Sequence, residues 1–301
     1  MGRPGGDGFS AVLGFINVFK TAGATSAQTV ARLRRIYTLY HRDGSLAVGH
    51  LGTLDPQAAG VLPVALGKAT RLIPLLTDHR KSYVCTLVLG RSTTTADATG
   101  KTLELGSVPQ DWLLSLEQVI PGFIGGIEQV PPMFSAVHHN GKRLYQLARE
   151  GKTVERKKRR ATIHELTVLG VEGSLARLRV TCSEGTYVRT LCEDLGAAMG
   201  VPAHMGALLR EASGPFILDG SMTMEQIAHD PHGALVAPEN VIPFPTIMLD
   251  LRRSADFRAG RMVPLPAGAP AKHVFVRDVS RTLVGVGESM GTLLAPRKVF
   301  V

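Results

Sequence analysis

The most constraining feature of this sequence is a run of glycine, threonine and proline around one carboxylate. The run reads Gly49-His50-Leu51-Gly52-Thr53-Leu54-Asp55-Pro56 and continues through Gly60-Val61-Leu62-Pro63. Glycine lets the backbone bend and approach another molecule closely, whereas proline fixes φ and removes a hydrogen-bond donor. This composition predicts a rigid loop that presents Asp55 to something outside the chain. Taken alone, an Asp-Pro pair is also common turn chemistry, so a plain turn is the first alternative.

Length, composition and charge bound the class of protein. The 301 residues, 44% hydrophobic and 20% charged, predict a globular protein with one large domain and one small one. The net charge of +9 favours a polyanionic partner, with nucleic acid ahead of a membrane surface. Three cysteines without a C-x-x-C pair suit a reducing compartment. Because no apolar run approaches the ~20 residues of a transmembrane helix, we expect a cytoplasmic protein.

In the first half of the chain, short strands and helices alternate after a Gly/Pro-rich leader (residues 1–10) that we expect to be loose. Thr25 or Ser26 can cap a helix that runs to about Tyr37, and Gln28 completes a capping box with Thr25. Asn140-Gly141 is a strong turn signal. The other predicted elements are a buried strand over residues 12–18, a short helix over 68–73, a strand over 81–90, a polar loop over 91–100, and helices over 111–120 and 142–151.

In the second half, alternating residues at 161–171 and 176–182 predict a β-hairpin, and residues 191–199 a helix. Before the hairpin, six of the nine residues from 152 to 160 are Lys or Arg, which suits either a solvated loop or a phosphate backbone. The proline-rich residues 237–245 predict a linker. The short β-like runs that follow (274–276, 283–286 and 299–301) predict a small β-barrel or sandwich.

Known cofactor and metal motifs are missing from the sequence. It contains no P-loop, no G-x-G-x-x-G after a strand, no H-E-x-x-H and no clustered Cys and His, so we expect no cofactor and no metal. The remaining candidates are Asp55 in its loop, Tyr83 in a strand, and the pair Tyr187 and Arg189 beside a helix start. For either tyrosine, taken alone, a core or sheet position is favoured over a site position.

The run from Gly49 to Pro56, with Gly60-Val61-Leu62-Pro63-Val64, resembles the catalytic motif of the TruB family, the bacterial tRNA pseudouridine-55 synthases. The resemblance covers residues 12–220 closely and the tail more loosely. Several motifs in the family's order are far more specific than one, and they overturn the plain-turn interpretation of Asp55. These further motifs are Lys20 with residues 23–26, then residues 81–83, 90–100, 131–142, 185–190 and 208–210.

The resemblance implies an α+β architecture, the pseudouridine synthase fold. In it a mixed, largely antiparallel sheet is flanked by helices and loops, and a small C-terminal β-rich, PUA-like domain follows. We expect the catalytic domain at residues 1–237, with an RNA-binding insertion at about 125–160, and the PUA-like domain at 246–301. The implied partner is tRNA, bound at its T-stem-loop by a monomer, with no membrane contact.

The resemblance also implies the chemistry. Asp55 matches the aspartate that starts isomerisation of uridine to pseudouridine, in which the N1–C1′ bond breaks and the rotated uracil rejoins through C5. An ordinary Asp has a pKa of ~3.9 and is ionised in water, but burial would raise that value unless a cation opposes it. Arg189 matches the arginine that pairs with the aspartate. Tyr83 matches the tyrosine that stacks on uracil and is a candidate base for the C5 proton, although a phenol of pKa ~10 is a poor base at neutral pH.

Four further residues match substrate-binding positions of the family. Tyr187 and Leu208 match residues that pack around the base, and Lys20 matches a family lysine. His50 matches the residue that fills the space left when the target base is flipped out, a step that costs a few kcal/mol. Residues 152–160 and the arginines of residues 32–35 are candidates for phosphate contacts.

Three departures from the family pattern remove no proposed catalytic group. Thr21 replaces a proline, Leu51 a threonine and Thr94 an aspartate, and we expect the last two each to cost a loop hydrogen bond near the site. Residues 38–46 look longer than the usual connection. The alternatives are a non-catalytic tRNA-binding or tRNA-folding module on the same scaffold, a guide-RNA-dependent synthase, and a hydrolase that uses Asp55. The hydrolase is the least favoured, because no recognisable second carboxylate accompanies Asp55 in the sequence.

Overall fold

A computed structural model of the chain describes residues 12–41, 45–265 and 271–300. The predicted loose leader, the middle of the 38–46 connection and Val301 lie outside the described residues. In chain order the strands are β1 (Gly14–Lys20), β2 (Val48–His50), β3 (Ala59–Leu66), β4 (Lys81–Leu89), β5 (Arg91–Thr93), β6 (Thr102–Leu105), β7 (Gly125–Gln129), β8 (His138–His139), β9 (Lys142–Arg143), β10 (Arg159–Glu172), β11 (Leu175–Cys182), β12 (Ala203–Ser213), β13 (Phe216–Ile217), β14 (Thr246–Met248), β15 (Val263–Pro264), β16 (His273–Arg277), β17 (Leu283–Met290) and β18 (Leu293–Val299).

The α-helices are α1 (Ser26–Thr38), α2 (Trp112–Val119), α3 (Leu144–Arg149), α4 (Val188–Ala198), α5 (Met224–His229) and α6 (Leu251–Arg258). The predicted capping box at Thr25 is present: its side chain accepts from the backbone N–H of Gln28, and the Gln28 side chain accepts from the Thr25 N–H. The predicted turn at Asn140-Gly141 is present as well, with φ of 48° and 82° between β8 and β9. Both devices are local, so the sequence alone specifies them.

A nine-stranded mixed sheet organises most of the chain, in the order β1-β3-β12-β4-β11-β10-β7, with β2 on β3 and β13 on β12. The β12–β3 pair is parallel and the other pairs are antiparallel, as the fold prediction expected. One sheet face packs on α1, α2 and α4 through a large apolar cluster that includes Ile16, Leu33 and Leu191. The opposite face carries Phe15 and Val61 into a second cluster. Strands with both faces covered are expected to be apolar almost throughout, as β3 is.

The C-terminal part is a five-stranded sheet in the order β14-β16-β17-β18-β15, covered on one side by α6. Phe275 and Val286 on its other side join Phe15 and Val61 in the second cluster of the main sheet. Ile242, inside the predicted linker, is fully buried in that cluster. The linker is therefore packed between the two sheets, and the division into domains stays a prediction.

Five element predictions need correction. Residues 91–93 form strand β5, whereas a loop was predicted, because they pair with β6 on the far side of that loop. Residues 159–160 already belong to β10, which was predicted to begin at residue 161. The short helix predicted at 68–73 is a 3₁₀ helix, Gly67–Leu75, that contains Pro74. Residues 142–143 form β9 before α3 begins.

The fifth correction concerns α4, which begins at Val188 instead of residue 191. Its N-cap residue, Tyr187, makes no side-chain cap bond. Instead, the Gln129 side chain of β7 accepts from the Tyr187 N–H at 3.0 Å and donates to the Tyr187 carbonyl at 3.2 Å. Because Gln129 lies 58 positions from Tyr187 in the sequence, no local sequence pattern predicts that the helix begins here. The earlier start places Arg189 in the first turn of α4.

Candidate active site

The loop between β2 and β3 holds Asp55 through anchors on both sides. Leu54 is buried, its N–H donates to Ser26 Oγ at 3.0 Å, and Ser26 Oγ donates to the Leu54 carbonyl at 2.9 Å. At Gly60, φ is +110° and an added Cβ would lie 2.2 Å from the Arg210 carbonyl oxygen. Only glycine fits there, so β12 can approach the end of the loop closely.

Arg210 of β12 is fully buried beneath this loop. Its Nε donates to the Val61 carbonyl at 2.6 Å, and Nη1 and Nη2 donate to the carbonyls of Thr53 and Gly52, each at 3.2 Å. A planar guanidinium suits several oxygens in fixed directions. Arg210 was not a predicted site residue. It belongs to the same Leu-Leu-Arg motif as the predicted Leu208, and that motif is its only signal in the sequence.

Lys20 is a second buried cation below the loop, with an exposed fraction of 1%. Its Nζ donates to the carbonyls of Thr21, Ala24 and Pro56 at 3.0, 2.8 and 3.2 Å. Burial, assisted by the positive charge of Arg210, lowers its pKa to about 8. In the described structure Lys20 fixes the backbone just after Asp55 and lies outside the cavity that Asp55 lines, so its predicted substrate contact stays a prediction.

Asp55 and Arg189 form the central ion pair. Arg189 Nε lies 2.9 Å from Asp55 Oδ2, and the exposed fractions of the two side chains are 5% and 37%. Arg189 also donates to the carbonyls of Phe134 at 2.8 Å and Thr95 at 3.3 Å, and its Nη1 lies 3.9 Å from Asp97 Oδ2. One buried guanidinium thus joins three separate segments and leaves the carboxylate accessible.

Asp97 is a site residue that the sequence does not single out, although it lies in the predicted polar loop over residues 91–100. Its Oδ1 accepts from Thr95 Oγ1 at 2.7 Å and Thr99 Oγ1 at 2.6 Å. Thr94 in the same loop accepts from the Lys101 N–H at 3.1 Å, so this departure from the family pattern still makes a loop hydrogen bond.

Five of the seven predicted site residues line one cavity of about 240 Å³. Tyr83 is buried there, and burial raises its pKa to about 12. Apolar and aromatic walls with a carboxylate at one side suit a flat, partly polar ring. The five residues are Asp55, Tyr83, Tyr187, Arg189 and Leu208.

His50, like Lys20, does not line this cavity. It ends β2, five residues before Asp55, and its Nδ1 accepts from the Gly52 N–H at 3.3 Å. Burial and the nearby Arg210 lower its pKa, which favours the neutral ring. The structure therefore places His50 beside the Asp55 loop as a half-buried, uncharged side chain.

The two predicted basic surfaces are both exposed, and some of their cations are paired. Lys152 lies 2.9 Å from Glu150, Lys158 lies 3.7 Å from Glu128, and Arg32 of α1 lies 3.1 Å from Glu225. Exposed pairs of this kind are weak, so a phosphate can compete for these side chains. In the described ranges, no cluster of His, Cys, Asp or Glu could hold a metal ion, and no helix is long and apolar enough to span a membrane.

Two family models match the chain. "TruB family pseudouridylate synthase (N terminal domain)" matches residues 39–188, and "tRNA pseudouridylate synthase B C-terminal domain" matches residues 189–233. The tRNA pseudouridine synthase B of Streptococcus thermophilus is 38% identical over 298 residues, which cover 96% of this chain and 99% of the relative. That of Oceanobacillus iheyensis is 44% identical over 219 residues, covering 71% of this chain and 70% of the relative.

Two solved structures resemble this one over most of their length. The crystal structure of a Cbf5-Nop10-Gar1 complex contains a chain with a TM-score of 0.66 and 29% identity, covering 96% of this chain and 85% of that chain. The structure of an H/ACA RNP bound to a substrate RNA containing 2′-deoxyuridine contains a chain with a TM-score of 0.65 and 27% identity, covering 96% of this chain and 85% of that chain.

Proposed function

Because the chain belongs to the TruB family of pseudouridylate synthases and isomerises uridine to pseudouridine in tRNA, we propose that its target is the T-loop uridine at position 55 and that Asp55 starts the reaction. The observation that carries this assignment is the Asp55–Arg189 ion pair at the wall of a base-sized cavity. The buried guanidinium holds the Asp55 carboxylate at the cavity wall, where a flipped base can reach it.

The reaction needs a charged group, a slot for the base and a proton acceptor. The N1–C1′ bond breaks, the uracil turns, and a C5–C1′ bond forms, while C5 loses a proton and N1 gains one. Asp55 acts on the nucleotide as nucleophile or base. Tyr83, Tyr187 and Leu208 enclose the detached ring, with Tyr83 stacked on it, so the uracil turns without escaping into water. Tyr83 is also the candidate acceptor of the C5 proton, directly or through water.

The base must leave the folded T-loop before it reaches Asp55. Extrusion costs a few kcal/mol, and a side chain that fills the vacated space reduces the cost. His50 suits that role because it is uncharged and ends the strand that leads into the Asp55 loop. The basic run at residues 152–160 and the arginine face of α1 supply contacts to phosphates. The C-terminal sheet acts as a PUA-like domain that contacts the acceptor-stem side of the tRNA.

A free-standing enzyme suits this chain better than a guide-RNA-dependent one. It aligns over 96% of its length with a tRNA pseudouridine synthase B at 38% identity, compared with 29% for the chain of the Cbf5-Nop10-Gar1 complex. We place it in the cytoplasm as a monomer acting on tRNA, in keeping with three buried free cysteines. No observation favours a non-catalytic tRNA-binding module.

The test is pseudouridine formation on an unmodified tRNA by the purified chain alone, followed by mass spectrometry or by tritium release from C5-labelled uridine. Wild type should convert the T-loop uridine without metal, cofactor, guide RNA or partner protein. Asp55→Ala should convert none and still bind tRNA. Conversion at another position, a requirement for a partner, or activity in Asp55→Ala would contradict the proposal.

A further inference from the structure

Ser135 is a buried residue of the active-site cavity whose side chain has no assigned role. Its exposed fraction is 6%, and its Oγ has no hydrogen-bond partner among the described residues. It lines the same cavity as Asp55, Tyr83 and Leu208. A buried polar group without a partner costs about 1–3 kcal/mol, so such a group in a substrate cavity calls for an explanation.

The backbone around Ser135 is fixed on both sides. The Phe134 carbonyl accepts from Arg189 Nη2 at 2.8 Å, which ties this segment to the catalytic guanidinium. The Ser135 carbonyl accepts from the Tyr145 N–H at 3.1 Å, which ties it to α3. The Ser135 backbone is therefore fixed beside the cavity before any substrate arrives, as preorganised binding requires.

Uracil presents two carbonyl oxygens and one N–H at its edge, and each loses water when the ring enters the cavity. Leu208 and Val188 in the cavity wall have no hydrogen-bonding side-chain group, so the ring carbonyls need donors from other lining residues. A serine hydroxyl can donate to a carbonyl oxygen. When the ring turns about its N3–C6 axis, C2=O and C4=O exchange places. One fixed donor can therefore serve the base before and after its rotation.

We propose that the Ser135 hydroxyl donates a hydrogen bond to a ring carbonyl of the flipped uracil and thereby holds the base in register with Asp55. This assignment rests on the proposed function. Since phosphate contacts supply most of the affinity for RNA, Ser135 affects the rate of the bound complex and not tRNA affinity. It also follows that the unpaired hydroxyl does not stabilise the free protein.

The experiment compares wild type with Ser135→Ala, Ser135→Thr and Ser254→Ala. Ser254 is also buried, but its Oγ donates to the Leu249 carbonyl at 3.2 Å in the C-terminal part, so it is a matched control. Three quantities are measured: the single-turnover rate at saturating enzyme, the tRNA dissociation constant and the thermal midpoint.

Ser135→Ala should lower the rate by about 5- to 150-fold, the range for one unmet hydrogen bond, with tRNA affinity within about twofold and an unchanged or raised thermal midpoint. Ser135→Thr should recover most of the rate, and Ser254→Ala should keep it. The penalty of Ser135→Ala should shrink on a tRNA that carries 2-thiouridine or 4-thiouridine at the target, because sulfur is the weaker acceptor.

Three results would overturn the assignment: wild-type rate in Ser135→Ala, a rate loss matched by losses of stability and tRNA affinity without rescue by threonine, or a penalty that neither thio-substitution reduces. Failure of the proposed function looks different. It would appear as a wild-type enzyme that leaves the T-loop uridine unconverted, and it would remove both proposals together.

Discussion

Arg210 donates a hydrogen bond from Nη1 to the carbonyl of Thr53 at 3.2 Å, two residues before Asp55. Its Nε reaches the Val61 carbonyl, six residues after Asp55, at 2.6 Å. One guanidinium on β12 therefore forms hydrogen bonds to the Asp55 loop on both sides of the carboxylate. Because the side chain is fully buried, water cannot replace it there.

Arg210→Met should reduce both stability and catalysis. It leaves the buried Val61 carbonyl and the part-buried Thr53 and Gly52 carbonyls without a donor. A fully buried group without a partner costs about 1–3 kcal/mol, so we expect the free energy of unfolding to fall by about 3 kcal/mol. A shift of the loop by ~1 Å would lower the rate about 100-fold. Urea unfolding and single-turnover conversion measure the two effects.

The control for Arg210→Met is Arg179→Met on β11, which is separated from β12 by β4. Arg179 is exposed and pairs with Glu211 at 3.0 Å, so its loss should cost no more than about 1 kcal/mol and leave the rate unchanged. Arg210→Lys keeps the charge but not the planar fork, and it should fall between Arg210→Met and wild type. A folded Arg210→Met protein with the wild-type rate would show that the Asp55 loop keeps its position without hydrogen bonds from Arg210.

Sequence reasoning succeeded where the determinants are local. Thr25 with Gln28 and the Asn140-Gly141 turn each act within a few residues, and the structure contains both. It failed where a polar group from a distant segment completes an element. The start of α4 at Val188 depends on the Gln129 side chain, and the carbonyl partners of Arg210 lie 149 to 158 positions away.

The site was predictable to the same extent. The resemblance named Asp55, Tyr83, Tyr187, Arg189 and Leu208, and all five line one cavity. It could not show that Lys20 Nζ donates three hydrogen bonds to backbone carbonyls, or that Ser135 Oγ has no hydrogen-bond partner among the described residues. Which polar groups form hydrogen bonds depends on three-dimensional packing, and the order of residue types in the sequence does not show it.

Arg189→Lys should separate charge from geometry at the active site. A lysine keeps the positive charge beside Asp55, but it cannot reach the Phe134 and Thr95 carbonyls at the same time. Losing one or more charge-assisted hydrogen bonds predicts a rate about 10- to 150-fold lower, with tRNA affinity near wild type. Arg179→Lys is the matched exposed control. A rate within threefold of wild type in Arg189→Lys would mean that charge alone suffices.

Tyr83 should act mainly as a neutral, stacked ring. Burial raises its pKa to about 12, so fewer than about one molecule in 1,000 is ionised at pH 9. We expect the single-turnover rate to be level between pH 7 and 9, with Tyr83→Leu losing more activity than Tyr83→Phe. A rate that rises tenfold per pH unit in wild type and is level in Tyr83→Phe would show instead that the phenolate is the required base.

Lys20 should make stability depend on pH in a defined window. Its pKa is about 8 in the folded protein and 10.5 ordinarily, so between these values the unfolded chain binds more protons and rising pH stabilises the fold. Lys20→Met removes this titration. The stability of wild type relative to Lys20→Met should therefore be constant below pH 7 and increase by up to about 2 kcal/mol from pH 7 to pH 9.5. Urea unfolding at the two pH values measures this difference, with the exposed Lys152→Met as a flat control. Equal differences for Lys20→Met at both pH values would mean that the buried ammonium keeps its ordinary affinity for the proton.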